Sequence, residues 1–332
     1  MFFKPAILAL FLGSLATFGM ILYSSISGWQ ILRHWDLQSG QELQLRLEKQ
    51  TYLISTLMSY AFAYEFLSFF LFIYTVDHLH TYFVGAMCAA GSLNVNAWGY
   101  PAIVAKMVNS MLAGLWLILN YTDNQGYDYP LIKVKYLFLL AIFPGILAET
   151  FFLVNYFLAL QPEIITSCCG ALFTPESRGV ASELIVSPGL ANELVFYCLM
   201  AGTLVLGVIF YRTGRGGYWF SLLAVIACLL AIPAFISFFS IYIYELPTHH
   251  CPFCVLQREY GFIGYPIYLA LMAGGLFGAG VGMLMPFRTK ETLKGILPPI
   301  QRRLAIWSVI SYGVFMGIVI YTTAFSNLKM SW

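Results

Sequence analysis

Residues 218–244 read YWFSLLAVIACLLAIPAFISFFSIYIY, and no Asp, Glu, Lys or Arg interrupts them. An α-helix rises 1.5 Å per residue, so about 20 residues cross the ~30 Å hydrocarbon core of a bilayer. A surface helix of that length in water would carry a charged face, and this stretch has none. It predicts a membrane span. Working outward, seven further runs of similar character lie near 5–28, 51–75, 102–121, 136–160, 190–211, 262–286 and 304–325. Together they predict an all-α, polytopic membrane protein with about eight transmembrane helices.

Composition points the same way. Of 332 residues, 60% are hydrophobic and only 10% are charged, where a soluble domain carries about 25% charged residues. The 28 Phe and 22 Tyr suit a lipid-facing wall with aromatic belts. A net charge of +2 supplies no basic field for nucleic acid. Lys4 before the first apolar run is reminiscent of a secretory signal, but the run is too long for one and lacks an A-x-A-like site. We therefore expect it to be retained as a helix.

Two stretches between the runs need a different reading. Residues 30–50 mix Trp35, Leu43, Leu45 and Leu47 with Arg33, Glu42, Arg46 and Lys49, which predicts an amphipathic helix on the membrane surface. Residues 77–101 contain Asp77, His78, His80, Asn94, Asn96, Gly99 and Pro101, groups poorly satisfied in lipid, so a re-entrant element is expected there. The chain then divides into an N-terminal membrane region, 1–135, and a C-terminal helical bundle, 136–332, that carries the cysteine pairs.

Lys and Arg set the orientation. With eight spans, one set of loops holds Arg33, Arg46, Lys49, Lys133, Lys135, Arg212, Arg215, Arg288, Lys290, Lys294, Arg302 and Arg303, twelve of the 17. Lys4, Arg178, Arg258 and Lys329 fall on the opposite side. The positive-inside rule predicts both termini outside, with a bacterial inner membrane as the expected location. Cys88, Cys168, Cys169, Cys251 and Cys254, with His78, His80, His249 and His250, then share the outer face, where disulfides persist.

The sharpest motif is His249-His250-Cys251-Pro252-Phe253-Cys254-Val255-Leu256-Gln257-Arg258. Proline after Cys251 predicts a helix start, with Cys251 as its cap and Cys254 one turn in on the same face. Amide groups and the helix dipole at such an end favour a thiolate, which suits a pair that cycles between dithiol and disulfide. Arg258, one turn below Cys254, would stabilise that thiolate or a quinone oxygen gaining negative charge.

This Cys-x-x-Cys-x-x-Gln-Arg segment, with Tyr265-Pro266 soon after, resembles the active segment of DsbB-type thiol:quinone oxidoreductases. The order of cysteines over 136–286 is similar to that of the related vitamin K epoxide reductase-like proteins. The resemblance implies that Cys251 and Cys254 are the quinone-side catalytic pair and that Cys168 and Cys169 are a shuttle pair. It further implies that Gln257 and Arg258 lie at the quinone, and that an outer dithiol protein supplies electrons.

The same residues allow other chemistry. Cys88, His78, His80, His249 and His250 join the cysteine pairs in a pool of soft and borderline ligands for copper, zinc or mercury. A membrane anchor subunit of a larger redox complex is a third reading. Separately, Glu65, Lys106 and Glu149 fall inside apolar runs, where an unpaired charge costs about 2.5–3.5 kcal/mol. They predict either a proton path, which quinone reduction needs, or a buried ion pair. Cys198 and Cys228 read as small hydrophobes within helices, and the glycines at 274, 275, 278, 280 and 282 predict close helix packing.

Overall fold

The computed structural model describes residues 4–36, 41–161, 164–166 and 190–328. Helix α1 spans Pro5–His34, α2 Glu42–Leu79, the short α3 Ala89–Leu93, α4 Gly99–Asp123 and α5 Ile132–Leu158. Helix α6 follows at Leu190–Thr213, α7 at Gly217–Tyr244, α8 at Gly264–Leu284 and α9 at Leu297–Phe325. All but α3 are long and apolar enough to cross a membrane, which makes eight spans among the described residues. No β-strand occurs there; a single bridge joins Val84 to Ile165. The chain is an all-α integral membrane protein.

Its surface is inverted relative to a soluble protein. Leu12, Trp29, Tyr60, Leu67, Trp219, Leu229 and Trp307 face outward, while Ser14, Thr17 and Ser24 lie on the buried side of α1. Water would not tolerate so much contiguous apolar surface, and lipid requires it. Some hydroxyls return to their own helices, as Thr150 Oγ1 does to the Ile146 carbonyl at 2.8 Å. Cys198 is exposed on α6 and so belongs to the outward wall rather than the interior.

The stretch 30–50 is not a separate surface helix. Its first residues end α1, and its last open α2, which at 38 residues is about 57 Å long and outreaches the hydrocarbon. Leu47 and Trp35 are buried in a core with Ile54, Met58 and Tyr136, and Gln44 accepts the Asp36 amide and donates to Glu48. Alternating leucines and charges look amphipathic in isolation; here tertiary contacts bury one stripe. Residues 77–82 likewise continue α2 and a 3₁₀ turn, so the non-spanning element shrinks to 83–98.

Two compact units interleave along the chain. The first comprises residues 1–76, 93–162 and 288–297. Its core packs Phe62 edge-on to Trp116 at 5.2 Å, and Trp116 Nε1 donates to the Lys135 carbonyl. Lys135, expected in a solvated loop, is fully buried in α5. Its ammonium meets Asp123 Oδ2 at 2.6 Å and donates to Ser55 Oγ at 3.1 Å. A charge that close to a span's end can fold inward because a partner waits on α4.

The second unit comprises residues 77–92, 163–287 and 298–332. Its glycines permit close approach as expected. A Cβ on Gly278 would lie 2.4 Å from that of Ala224, and one on Gly274 would meet the Tyr312 ring at 2.8 Å. In the space so gained, Tyr312 donates to the Ala224 carbonyl and Ser308 to the Gly274 carbonyl. Such hydrogen bonds between helices lock α7, α8 and α9. Within α7, Phe235–Phe239 are wound as a π-helix.

Candidate thiol site

Within the second unit three sulfurs meet. The Sγ atoms of Cys88, Cys251 and Cys254 all lie within 4.8 Å of one another, and all three residues are buried. Cys88 and Cys251 Sγ are 3.5 Å apart, a non-bonded separation. The trio joins the 83–88 loop to the C-x-x-C across 163 positions of sequence.

The local fold of the C-x-x-C differs from the sequence expectation. Pro252 does not start a spanning helix. Cys254–Leu256 form one 3₁₀ turn, Gln257 is extended, and Arg258–Tyr260 form a second turn. Gly261 and Phe262 then take positive φ, and α8 begins only at Gly264. The extended Gln257 breaks the helical register, so Arg258 does not sit a turn below Cys254. Arg258 and Glu259 are exposed. The long-helix dipole and the buried guanidinium expected beside the cysteines are both missing from this geometry.

Two tyrosines hold the motif instead. Tyr244, the last residue of α7, donates its hydroxyl to the Cys251 carbonyl and accepts the Val255 amide at 3.0 Å. Tyr268 on α8 donates to the Pro252 carbonyl. One phenol thus closes the loop around both cysteines, and a second pins the proline between them. Nothing in the sequence distinguished these two from the other tyrosines of the aromatic belts.

A polar latch joins the two cysteine segments. Gln257 Nε2 donates to the Met87 carbonyl at 2.9 Å and to Asp77 Oδ1 at 3.4 Å, and Asp77 Oδ1 also accepts the Ala89 amide at 3.1 Å. Gln257 and Asp77 therefore fix the residues on either side of Cys88. Thr166 reaches the same loop, donating its amide to the Val84 carbonyl and its hydroxyl to the Gly91 carbonyl. Cys168 and Cys169 lie outside the described residues.

The histidines divide. His249 packs edge-on to Tyr244 at 4.3 Å, and its buried Nε2 has no hydrogen-bond partner among the described residues. Burial pushes its imidazole below the usual histidine range, while the nearby Cys88 pulls the other way. His250 Nδ1 donates to the Ile236 carbonyl at 3.0 Å, a group that the π-wound turn presents. His80 Nδ1 bonds the Asp77 carbonyl, and His78 is exposed on α2. None of the four joins the sulfur trio among the described residues. The segment of His78 and His80 is helical rather than extended, so those two rings do not share a side.

In the first unit the three intramembrane charges do come together. Lys106 Nζ contacts Glu65 Oε1 at 2.9 Å and Glu149 Oε1 at 2.6 Å, all fully buried. The chain matches no protein-family model, and no curated protein or solved structure is significantly similar to it.

Proposed function

We propose that this integral membrane protein binds a thiophilic metal ion through Cys88, Cys251 and Cys254, as a metal transport or delivery protein would. The observation that carries this reading is the convergence of three buried sulfurs within 4.8 Å. Around a metal with bonds of about 2.3 Å, thiolates sit roughly 3.8–4.0 Å apart, which the trio reaches with small adjustments. Three thiolates suit Cu(I) or Hg(II), while Zn(II) takes a fourth donor. No histidine nitrogen joins the trio within 4.8 Å among the described residues, so three-thiolate ligation is the geometry on offer. Bound metal would neutralise charge that the site otherwise buries, and it would supply no redox step of its own here. The chain's residues do the rest: Tyr244 and Tyr268 fix the C-x-x-C, Gln257 and Asp77 fix Cys88, and Val255 and Leu256 exclude water.

Thiol–disulfide redox with a membrane quinone is the second reading, favoured by the 3.5 Å separation of Cys88 and Cys251. In it a Cys88–Cys251 or Cys251–Cys254 disulfide is reduced by an outer dithiol protein, and the remaining thiolate passes electrons to quinone. A cleft of about 360 Å³ lined by Tyr242, Tyr260, Tyr321 and Phe325 offers an aromatic seat in the same unit. Exposure of Arg258 removes the electrostatic help this route was expected to have. On either reading the site lies at the outer face of a bacterial inner membrane with both termini outside. Burial of Lys135 leaves eleven basic residues against four, and that count supports this orientation.

The deciding experiment alkylates the purified protein before and after reduction, with elemental analysis of the same sample. About one copper, zinc or mercury per chain, protecting three thiols from alkylation, supports metal binding. A metal-free disulfide among Cys88, Cys251 and Cys254 that quinol reduces and quinone restores would replace it with the redox reading.

A further inference from the structure

The Glu65–Lys106–Glu149 cluster of the first unit has a charge imbalance. Three helices contribute one group each: Glu65 from α2, Lys106 from α4 and Glu149 from α5. With all three ionised the cluster would carry one net negative charge in the membrane interior, where no water compensates it. One added proton makes it neutral.

Hydrogen bonding says where that proton sits. Both oxygens of Glu149 receive N–H donors: Oε1 takes Lys106 at 2.6 Å, and Oε2 takes Asn109 Nδ2 at 2.7 Å. Asn109 reaches across because α5 carries Gly145 opposite it; a Cβ there would lie 2.5 Å from Asn109 Oδ1. A carboxyl served on both oxygens is an ionised acceptor. The Glu65 carboxyl accepts from Lys106 at the longer 2.9 Å, so both glutamates meet the same ammonium. Two buried carboxylates crowded onto one ammonium favour the state in which one of them holds a proton, and Glu65 is the one with fewer donors. The other titratable group facing the cluster is Tyr64 on α2, whose hydroxyl donates to the Ala9 carbonyl. Ser110 spends its hydroxyl on the Lys106 and Glu65 carbonyls.

We propose that Glu65 and Glu149 form a proton-binding site inside the membrane, with the exchangeable proton held on Glu65. Lys106 and Asn109 are positioning residues that keep Glu149 ionised. Release of the proton takes the cluster from neutral to one negative charge, and uptake reverses it. The site gives the first unit a proton-coupled element that is independent of the sulfur trio.

The test uses dicyclohexylcarbodiimide, which modifies protonated carboxyls in apolar surroundings, on the full chain in mild detergent, with sites mapped by peptide mass spectrometry. Modification of Glu65 and not Glu149 at neutral pH, fading as pH rises, is the expected result. Preferential modification of Glu149, or none at either residue from neutral to acidic pH, overturns the proposal. So does protection by sodium chloride but not by choline chloride, which would put a sodium ion in the proton's place. Stability gives a second reading. Glu65→Gln keeps a neutral hydrogen-bonding group and should melt within about 2 °C of the parent. A Glu65→Gln variant that falls by about 10 °C would overturn it as well.

Discussion

The charge cluster of the first unit and the sulfur trio of the second are both fully buried, yet they are built from opposite materials. Glu65, Lys106 and Glu149 project from the interiors of three spanning helices and satisfy one another by contacts of 2.6–2.9 Å. Cys88, Cys251 and Cys254 come from loops and 3₁₀ turns, and tyrosine hydroxyls and an amide latch hold their backbones. A charge in lipid must find a partner, so it advertises itself in an apolar run. A thiol packs as a small hydrophobe, so its sequence context is silent about its neighbours. The first region is held together by its own functional groups, and the second by the residues around them.

That contrast can be broken or sharpened by mutation. The largest effect is expected from Lys106→Met, which strands the ionised Glu149 without its cation. It should cost about 3–5 kcal/mol, read as a loss of thermal stability in detergent. A change below about 1 kcal/mol would mean that the cluster does not hold the first unit together. Cys88→Ser should act in the reverse sense, leaving melting of the metal-free protein nearly unchanged. Its metal affinity should drop at least about 100-fold, equivalent to about 2.7 kcal/mol of binding, in competition titrations. Equal metal affinity in parent and variant would remove Cys88 from the site.

Smaller effects concern the supports. Tyr244→Phe deletes the hydroxyl that bridges Cys251 and Val255. Loss of such an orienting contact should lower metal affinity about tenfold and stability by about 1 kcal/mol, measured by the same titration and melt. Gln257→Ala should have the smallest effect, about 0.5–1 kcal/mol of stability, because its amide is partly solvated. It should nonetheless raise the alkylation rate of Cys88, since the Met87 carbonyl is no longer tied. An unchanged rate would show that Asp77 alone holds that loop.

Much of this architecture was legible in the chain. The apolar runs located eight spans, because length and hydrophobicity are local properties that lipid reads directly. Glu65, Lys106 and Glu149 were visible as misfits, and the glycines of α8 as sites of close contact. Other features escaped for stated reasons. Lys135 looked like a loop lysine because its partner Asp123 lies beyond a turn. Arg258 looked like a helical neighbour of Cys254 because an i, i+4 spacing assumes a helix that Gln257 interrupts. Tyr244 and Tyr268 were hidden among the aromatic belts.

By itself, then, the sequence determined that this is an all-α membrane protein, where its spans run, and that Glu65, Lys106 and Glu149 need partners inside it. Tertiary structure alone decided that Cys88 meets Cys251 across 163 positions, that Gln257 serves the fold of the Cys88 loop, and that Arg258 is exposed. The physical reason is one of range. Transfer into lipid is summed residue by residue along a segment, whereas the meeting of distant thiols depends on packing and hydrogen bonds that no single segment contains.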